Sequence, residues 1–272
     1  MRLWLKYIFS GCLLLVAIVG QVLADPLSEA QQAYLQGDYT KAVELVRPLA
    51  EQGNVLAQYN LGVMYADEQG KKHDYQEAVK WFRLAAGQGD ADAQVWLGAA
   101  YAGGRGVTQD FQEAVIWYRL AGEQEHVNAQ LRLGLMYDQG QGVTQDYQEA
   151  FKWYYSAAEQ GNVDAQFRLG VMYDQGESVV QNHQEAVKYY RLAATQGHAN
   201  AQASIGMMYG QGQGIPKDDV RAYMWLDLAA SRGNSLAEHG RNLLAKKMSA
   251  TQITKAQRMA EDCEKNGYQD CN

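Results

Sequence analysis

The feature that most constrains this chain is a period. The segment starting at Gly53, GNVLAQYNLGVMYADEQGKKHDYQEAVKWFRL, returns at 89, 125, 161 and 197, and a degenerate copy starts at 233. Each start lies 36 residues after the last, with no slippage. Self-similarity at a fixed spacing of this size means stacked supersecondary units, so the chain is expected to be a quasi-one-dimensional solenoid with no single central core.

Each unit reads as two short antiparallel helices. In its first half Ala57, Leu61 and Tyr65 are spaced i, i+4, i+8, which is one face of a helix. In its second half Ala78, Trp81, Phe82 and Ala85 mark another face. Only 3 prolines occur in 272 residues, which suits helices. Asp74-x-x-Glu77, Asp110-x-x-Glu113, Asp146-x-x-Glu149 and Asn182-x-x-Glu185 predict capping boxes at the second helices. Gly62, Gly98, Gly134, Gly170 and Gly206 recur inside the first helices. A helical glycine costs about 1 kcal/mol against alanine, so its return implies a close approach where a Cβ would collide. The pairs Gly104–Gly106, Gly140–Gly142 and Gly212–Gly214 follow a helix, not a strand. They therefore read as helix C-caps and not as a phosphate cradle. Val107, Val143, Val179 and Ile215 are expected to plug the gap between helices.

Together, A-Q-x-x-L-G-x-x-Y, the G-x-G-V loop and D-x-x-E-A-x-x-W-Y/F-R-x-A-A resemble Sel1-like repeats, 36-residue relatives of tetratricopeptide repeats. The resemblance implies an all-α, right-handed superhelical solenoid of antiparallel helix pairs. Residues 53–247 are expected to hold five full repeats and a degenerate sixth. Residues 25–52 read as an N-terminal helical-hairpin cap with its turn at Gly37-Asp38. Residues 248–272 read as a C-terminal capping helix, started by Ser249 and stopped by Asn266-Gly267. The fourth loop, Gly176-Glu177-Ser178-Val179, lacks a second glycine, and Glu125 stands where the other copies have Gly.

Residues 1–24 differ from the rest. Arg2 and Lys6 precede an apolar run from Ile8 to Val19, and Val22-Leu23-Ala24 resembles a signal-peptidase site. A signal peptide cleaved after Ala24 is expected, with a lipobox at Cys12 and an uncleaved anchor as rivals. Cleavage would remove two basic residues, leaving 22 Lys+Arg against 31 Asp+Glu, a net charge of −9. A chain this acidic, with no basic run, is not expected to bind nucleic acid through a broad patch. Cys263 and Cys271 would then be the remaining cysteines, and an even count in an exported chain favours a disulfide. The C-terminal pattern resembles exported Sel1 proteins, which supports the same pairing and a periplasmic or secreted location in a Gram-negative envelope.

No His-Glu-x-x-His, Gly-x-Ser-x-Gly or Ser-x-x-Lys pattern is present. His73, His126, His183, His198 and His239 are scattered. The sequence therefore names no catalytic, cofactor-binding or metal-ligating residue. Trp81, Trp117, Trp153, Tyr189 and Trp225 occupy one repeated position beside core alanines, so they read as packing before they read as sugar platforms. Function is sought where equivalent positions differ. One such series is Asn60, Trp96, Arg132, Arg168, Ser204. In related solenoids the first helices line the concave groove. Trp96, Arg132 and Arg168, with Asp138 and Asp174 nearby, are therefore expected to line a protein-binding surface, Trp and Arg being favoured at hot spots. The expected role is a non-enzymatic scaffold. Peptidoglycan or glycan recognition is the alternative, with a β-lactamase- or penicillin-binding-like activity behind it. One cysteine-rich branch of the family is reported to have that activity, and this chain lacks that branch's intra-repeat cysteines.

Overall fold

The computed structural model describes residues 25–68, 73–268 and 271. The expected leader, 1–24, lies outside the described residues. The described residues form fourteen helices: α1 (Pro26–Leu35), α2 (Tyr39–Glu51), α3 (Val55–Ala66), α4 (Tyr75–Gly87), α5 (Ala91–Gly103), α6 (Phe111–Glu123), α7 (Val127–Gln139), α8 (Tyr147–Glu159), α9 (Val163–Gln175), α10 (His183–Ala194), α11 (Ala199–Gln211), α12 (Asp219–Ser231), α13 (Ser235–Ala245) and α14 (Ala250–Lys265). From α1 to α12 they pack as successive pairs, and each second helix also packs on the first helix of the next pair. This is a helical solenoid of 36-residue repeats. The last unit departs from the pattern, because α14 packs chiefly on α12.

Small residues set the spacing within each pair. Ala57, Leu61, Ala93, Leu97, Ala129, Leu133, Ala165 and Leu169 are fully buried on the first helices. The recurring glycine lies against the ring of the second helix. A Cβ on Gly62 would fall 2.7 Å from Phe82, one on Gly98 2.7 Å from Tyr118, and one on Gly134 or Gly170 2.5 Å from Tyr154 or Tyr190. The helices can approach only because that atom is missing. Each buried ring returns roughly 1.5–3 kcal/mol, more than the helical cost of the glycine.

Helix starts follow two rules. First helices are capped by Asn54, Asp90, His126, Asn162, His198 and Asn234, each accepting from the amide three residues on. Second helices α4, α6, α8 and α10 are capped by Asp74, Asp110, Asp146 and Asn182, which accept from two amides each. These are half-boxes and not the full boxes expected. The cap's own N–H is already taken by a tyrosine carbonyl of the preceding helix, for example Asp74 N–H to Tyr65 O at 2.9 Å and Asp146 N–H to Tyr137 O at 3.0 Å. In three of these helices the glutamate pairs with a lysine one turn on instead, as Glu77 with Lys80, Glu149 with Lys152 and Glu185 with Lys188. Ser249 and Gln252 form a complete capping box at α14.

The loop glycines do two jobs. Gly104, Gly140, Gly176 and Gly212 are left-handed C-caps. A Cβ on Gly142 would strike the Phe111 carbonyl at 2.2 Å, so the second glycine marks backbone running against the previous repeat. In the fourth loop Ser178 takes the left-handed conformation instead, at φ 58°, and its hydroxyl donates to the Tyr147 carbonyl at 3.0 Å. Glu125 is likewise left-handed, at φ 64°, a conformation that costs a side chain on the order of 1 kcal/mol. Val107, Val143 and Ile215 pack against the core.

Candidate interaction surface

A side-chain ladder sets the register between repeats. Gln58, Gln94, Gln130, Gln166 and Gln202 are buried in the first helices. Each donates to a carbonyl eight residues back, on the preceding second helix, at 3.0–3.3 Å. The first four also accept, at 2.8–2.9 Å, from Gln88, Gln124, Gln160 and Gln196, thirty residues ahead. A buried amide must be satisfied, and here satisfying it ties three helices together. The next rung ends in Arg232, which donates to the Gly197 carbonyl and the Tyr268 hydroxyl. Gln202 Oε1 is consequently left without a partner among the described residues.

With the register fixed, the varying series forms a row along the first helices. Asn60 on α3 is buried. Trp96 on α5 is 36% exposed and stacks on Phe82, ring centroids 5.3 Å apart. It lies beside Tyr59, whose phenol is pushed up to about 12 by burial and Asp92, partly offset by Trp96. Arg132 on α7 is exposed and Arg168 on α9 half-buried. Of the five residues proposed from sequence, the structure brings two into contact: Arg168 reaches Asp138 at 3.9 Å.

Asp138 and Asp174 also have a structural task. They accept from Tyr154 and Tyr190 at 3.2 and 3.4 Å. Burial first, and the adjacent carboxylate second, hold both phenols well above the usual tyrosine range. His183 contacts Asp174 at 3.0 Å. The sequence carried part of this signal: Tyr154 and Tyr190 stand with Asp138 and Asp174, and Phe82 and Leu226 with Ala66 and Gly210, but Tyr118 stands with Ala102.

The repeated tryptophans are packing residues. Trp225 is 1% exposed, and Trp81, Trp117 and Trp153 are half-buried against core clusters. All four indole N–H groups are buried. Cys263 and Cys271 are bonded, with Cα atoms 4.9 Å apart. Among the described residues, no group of three or more His, Cys, Asp or Glu is placed to hold a metal ion, and no helix is long and apolar enough to cross a membrane.

The Sel1 repeat family model matches residues 30–54, 55–90, 91–126, 127–162, 163–198 and 199–234. The fold is similar to that of c5321, a protective antigen present in uropathogenic Escherichia coli strains, at 35% identity and TM-score 0.79. That match covers 90% of this chain and 54% of c5321, so this chain spans about half of that protein's length. It is also similar to a Sel1 repeat protein from Oxalobacter formigenes, at 36% identity and TM-score 0.70, covering 79% of this chain and 85% of that one. A search of curated proteins returned no match. Sel1 repeat proteins generally mediate protein–protein interaction, and their fold is typically a non-enzymatic scaffold.

Proposed function

The chain belongs to the Sel1 repeat family, and on that premise we propose that it is a periplasmic adaptor holding a protein partner along the row of first helices. The observation that carries this reading is Trp96. A large ring is held on the surface by stacking on Phe82, in the same register as the cations Arg132 and Arg168. A rigid aromatic anchor followed along the row by two arginines has the composition of an interface hot spot. Location in the envelope is supported by the basic-then-apolar start of the sequence, by the bonded cysteines and by similarity to a protective antigen. In this reading residues 25–52 cap one end of the repeats and 248–272 cap the other.

The test is crosslinked affinity capture from envelope extract, with residues 25–272 as bait and mass spectrometry as readout. A W96A/R132A double variant, both positions being exposed, should keep its circular dichroism spectrum and lose the captured partner. Equal capture by parent and variant would show that the row is not the binding surface. Enrichment of muropeptides with no protein would move the assignment to wall-glycan recognition.

A further inference from the structure

A second ladder runs between repeats, and one of its rungs is different. Arg47, Arg83, Arg119 and Arg191 on second helices each donate to the tyrosine hydroxyl eighteen residues on: Tyr65, Tyr101, Tyr137 and Tyr209. Arg83 does so at 2.7 Å and Arg191 at 3.2 Å. Arg47 and Arg119 also lie 5.9 and 6.0 Å from the ring centroids, within cation–π range. At the rung between α8 and α9 the arginine is replaced by Tyr155. Tyr155 turns to Phe151 instead, centroids 6.1 Å apart, and is 42% exposed.

Tyr173 thus lacks the guanidinium that its four equivalents hold. Its ring meets Phe151 edge-on at 5.7 Å and lies parallel to Tyr189 at 5.7 Å. Tyr189 is itself a departure, standing where four other units have tryptophan. Among the described residues none of the hydroxyls of Tyr155, Tyr173 and Tyr189 has a hydrogen-bond partner, and Glu159 has no ion-pair partner. Lys188 bonds Glu185 at 3.2 Å and sits 4.9 Å from the Tyr189 ring centroid, so a cation already rests at the edge of this cluster. Burial, then Tyr173, Tyr155, Glu159 and Glu185, push the Tyr189 phenol up to about 12, which places both carboxylates within electrostatic reach of the rings.

We infer that this rung is a receptor for an arginine side chain presented by another protein, bound at the Tyr173 hydroxyl beside exposed Tyr155 and Glu159, with buried Tyr189 stacked behind the Tyr173 ring. The chemistry is that of the four filled rungs, phenol oxygen to guanidinium N–H, with the ring as a second contact at two of them. Here the carboxylate of Glu159 adds the charge complement. The site is built on α8, α9 and α10 and does not depend on the Trp96 row, so W96A/R132A should leave it intact.

The probe is N-acetyl-arginine amide, titrated into the purified chain with ring-labelled tyrosine and followed by NMR. N-acetyl-citrulline amide, the neutral isostere, is the control. The resonances of Tyr155, Tyr173 and Tyr189 should shift together and saturate in the millimolar range, with citrulline at least about 5-fold weaker. Tyr155→Arg should fold normally, since it restores the common rung, and should weaken arginine binding at least about 10-fold by occupying the site from within. Absence of a saturable shift, or undiminished binding to Tyr155→Arg, would overturn the inference. So would a chito-oligosaccharide that shifts these rings where the arginine amide does not.

Discussion

Gly134→Ala puts two effects of opposite sign in direct competition. Alanine is the better helix former by about 1 kcal/mol, so on an open helix face the substitution would stabilise. In α7 the new Cβ would lie 2.5 Å from both Cδ1 and Cε1 of Tyr154 and 3.0 Å from Cγ. Ordinary carbon contacts are about 3.5–4.0 Å, so roughly 1 Å of movement is needed. Tyr154 has little room to move, since it is fully buried and its hydroxyl is tied to Asp138. Overpacking of this kind costs about 1–3 kcal/mol, and a lost buried hydrogen bond adds about 1. A net loss of about 1–3 kcal/mol is expected, read as a lower urea midpoint at unchanged m-value. Two controls separate the causes. Gly87→Ala, with no atom within 4 Å of its Cβ, should be neutral or stabilising by up to about 1 kcal/mol. On a Tyr154→Ala background, itself expected to cost about 3–5 kcal/mol, Gly134→Ala should become stabilising. A parent-background Gly134→Ala as stable as wild type would refute the close-approach explanation for the whole glycine series.

The other predictions concern the ladder, one helix cap and the C-terminal bond. Gln130→Leu removes two buried hydrogen bonds, one to the Gly122 carbonyl, which keeps the Glu125 N–H, and one from Gln160, whose amide keeps the Glu125 carbonyl, and should cost about 2 kcal/mol. Gln202→Leu should cost about 1 kcal/mol less, because Gln202 Oε1 is already unpartnered; equal losses in denaturation would contradict the ladder account. His198 caps α11 through Nδ1, which accepts from Ala201 N–H at 3.1 Å and must be unprotonated to do so. Burial lowers its pKa, against the pull of Asp164 and with Arg168 acting in the same direction, while Arg232 lies on the adjacent Gly197 carbonyl. The unfolded chain thus binds this proton more tightly. The cap's stabilisation is complete above about pH 6.5 and declines as pH falls towards the folded pKa. His198→Asn should flatten that slope in melts between pH 7.5 and 5.5, and an unchanged slope would exclude this cap as its source. Reducing Cys263–Cys271 should cost about 2.5 kcal/mol and raise amide exchange in α14 first; simultaneous loss of protection throughout the array would show a larger role for the bond.

The period, the pairing of helices and most helix ends were legible because they depend on local chemistry: apolar spacing, an acidic cap, a left-handed glycine. The reason for the helical glycine was also readable, although its partner, the aromatic residue twenty positions on, emerges only in three dimensions. Gln58 and its equivalents looked like a motif without a task, because a polar residue's burial cannot be read from its own identity. The half-boxes were misread for a related reason. A tyrosine carbonyl from the preceding helix takes the N–H that the glutamate would have bonded, and sequence spacing does not register that competition. Asp138 and Asp174 were expected beside Trp96, Arg132 and Arg168, and Asp138 does meet Arg168, but their service to the buried phenols of Tyr154 and Tyr190 emerges only from the packed helices. Tyr155 is conspicuous only after the arginine ladder is known.

The glutamine ladder also bears on how such a chain can change its length. Every interior joint is made by the same pair of amides at the same offset, so the joint between any two neighbours is interchangeable with the next. Removing or duplicating a segment of one full period would bring a glutamine and its thirty-residue partner back into apposition across the new seam. Recombination between misaligned copies would therefore tend to yield foldable products, longer or shorter by whole units. What such an exchange cannot replace is the single rung at Tyr155, which exists once and would be lost or doubled with its unit.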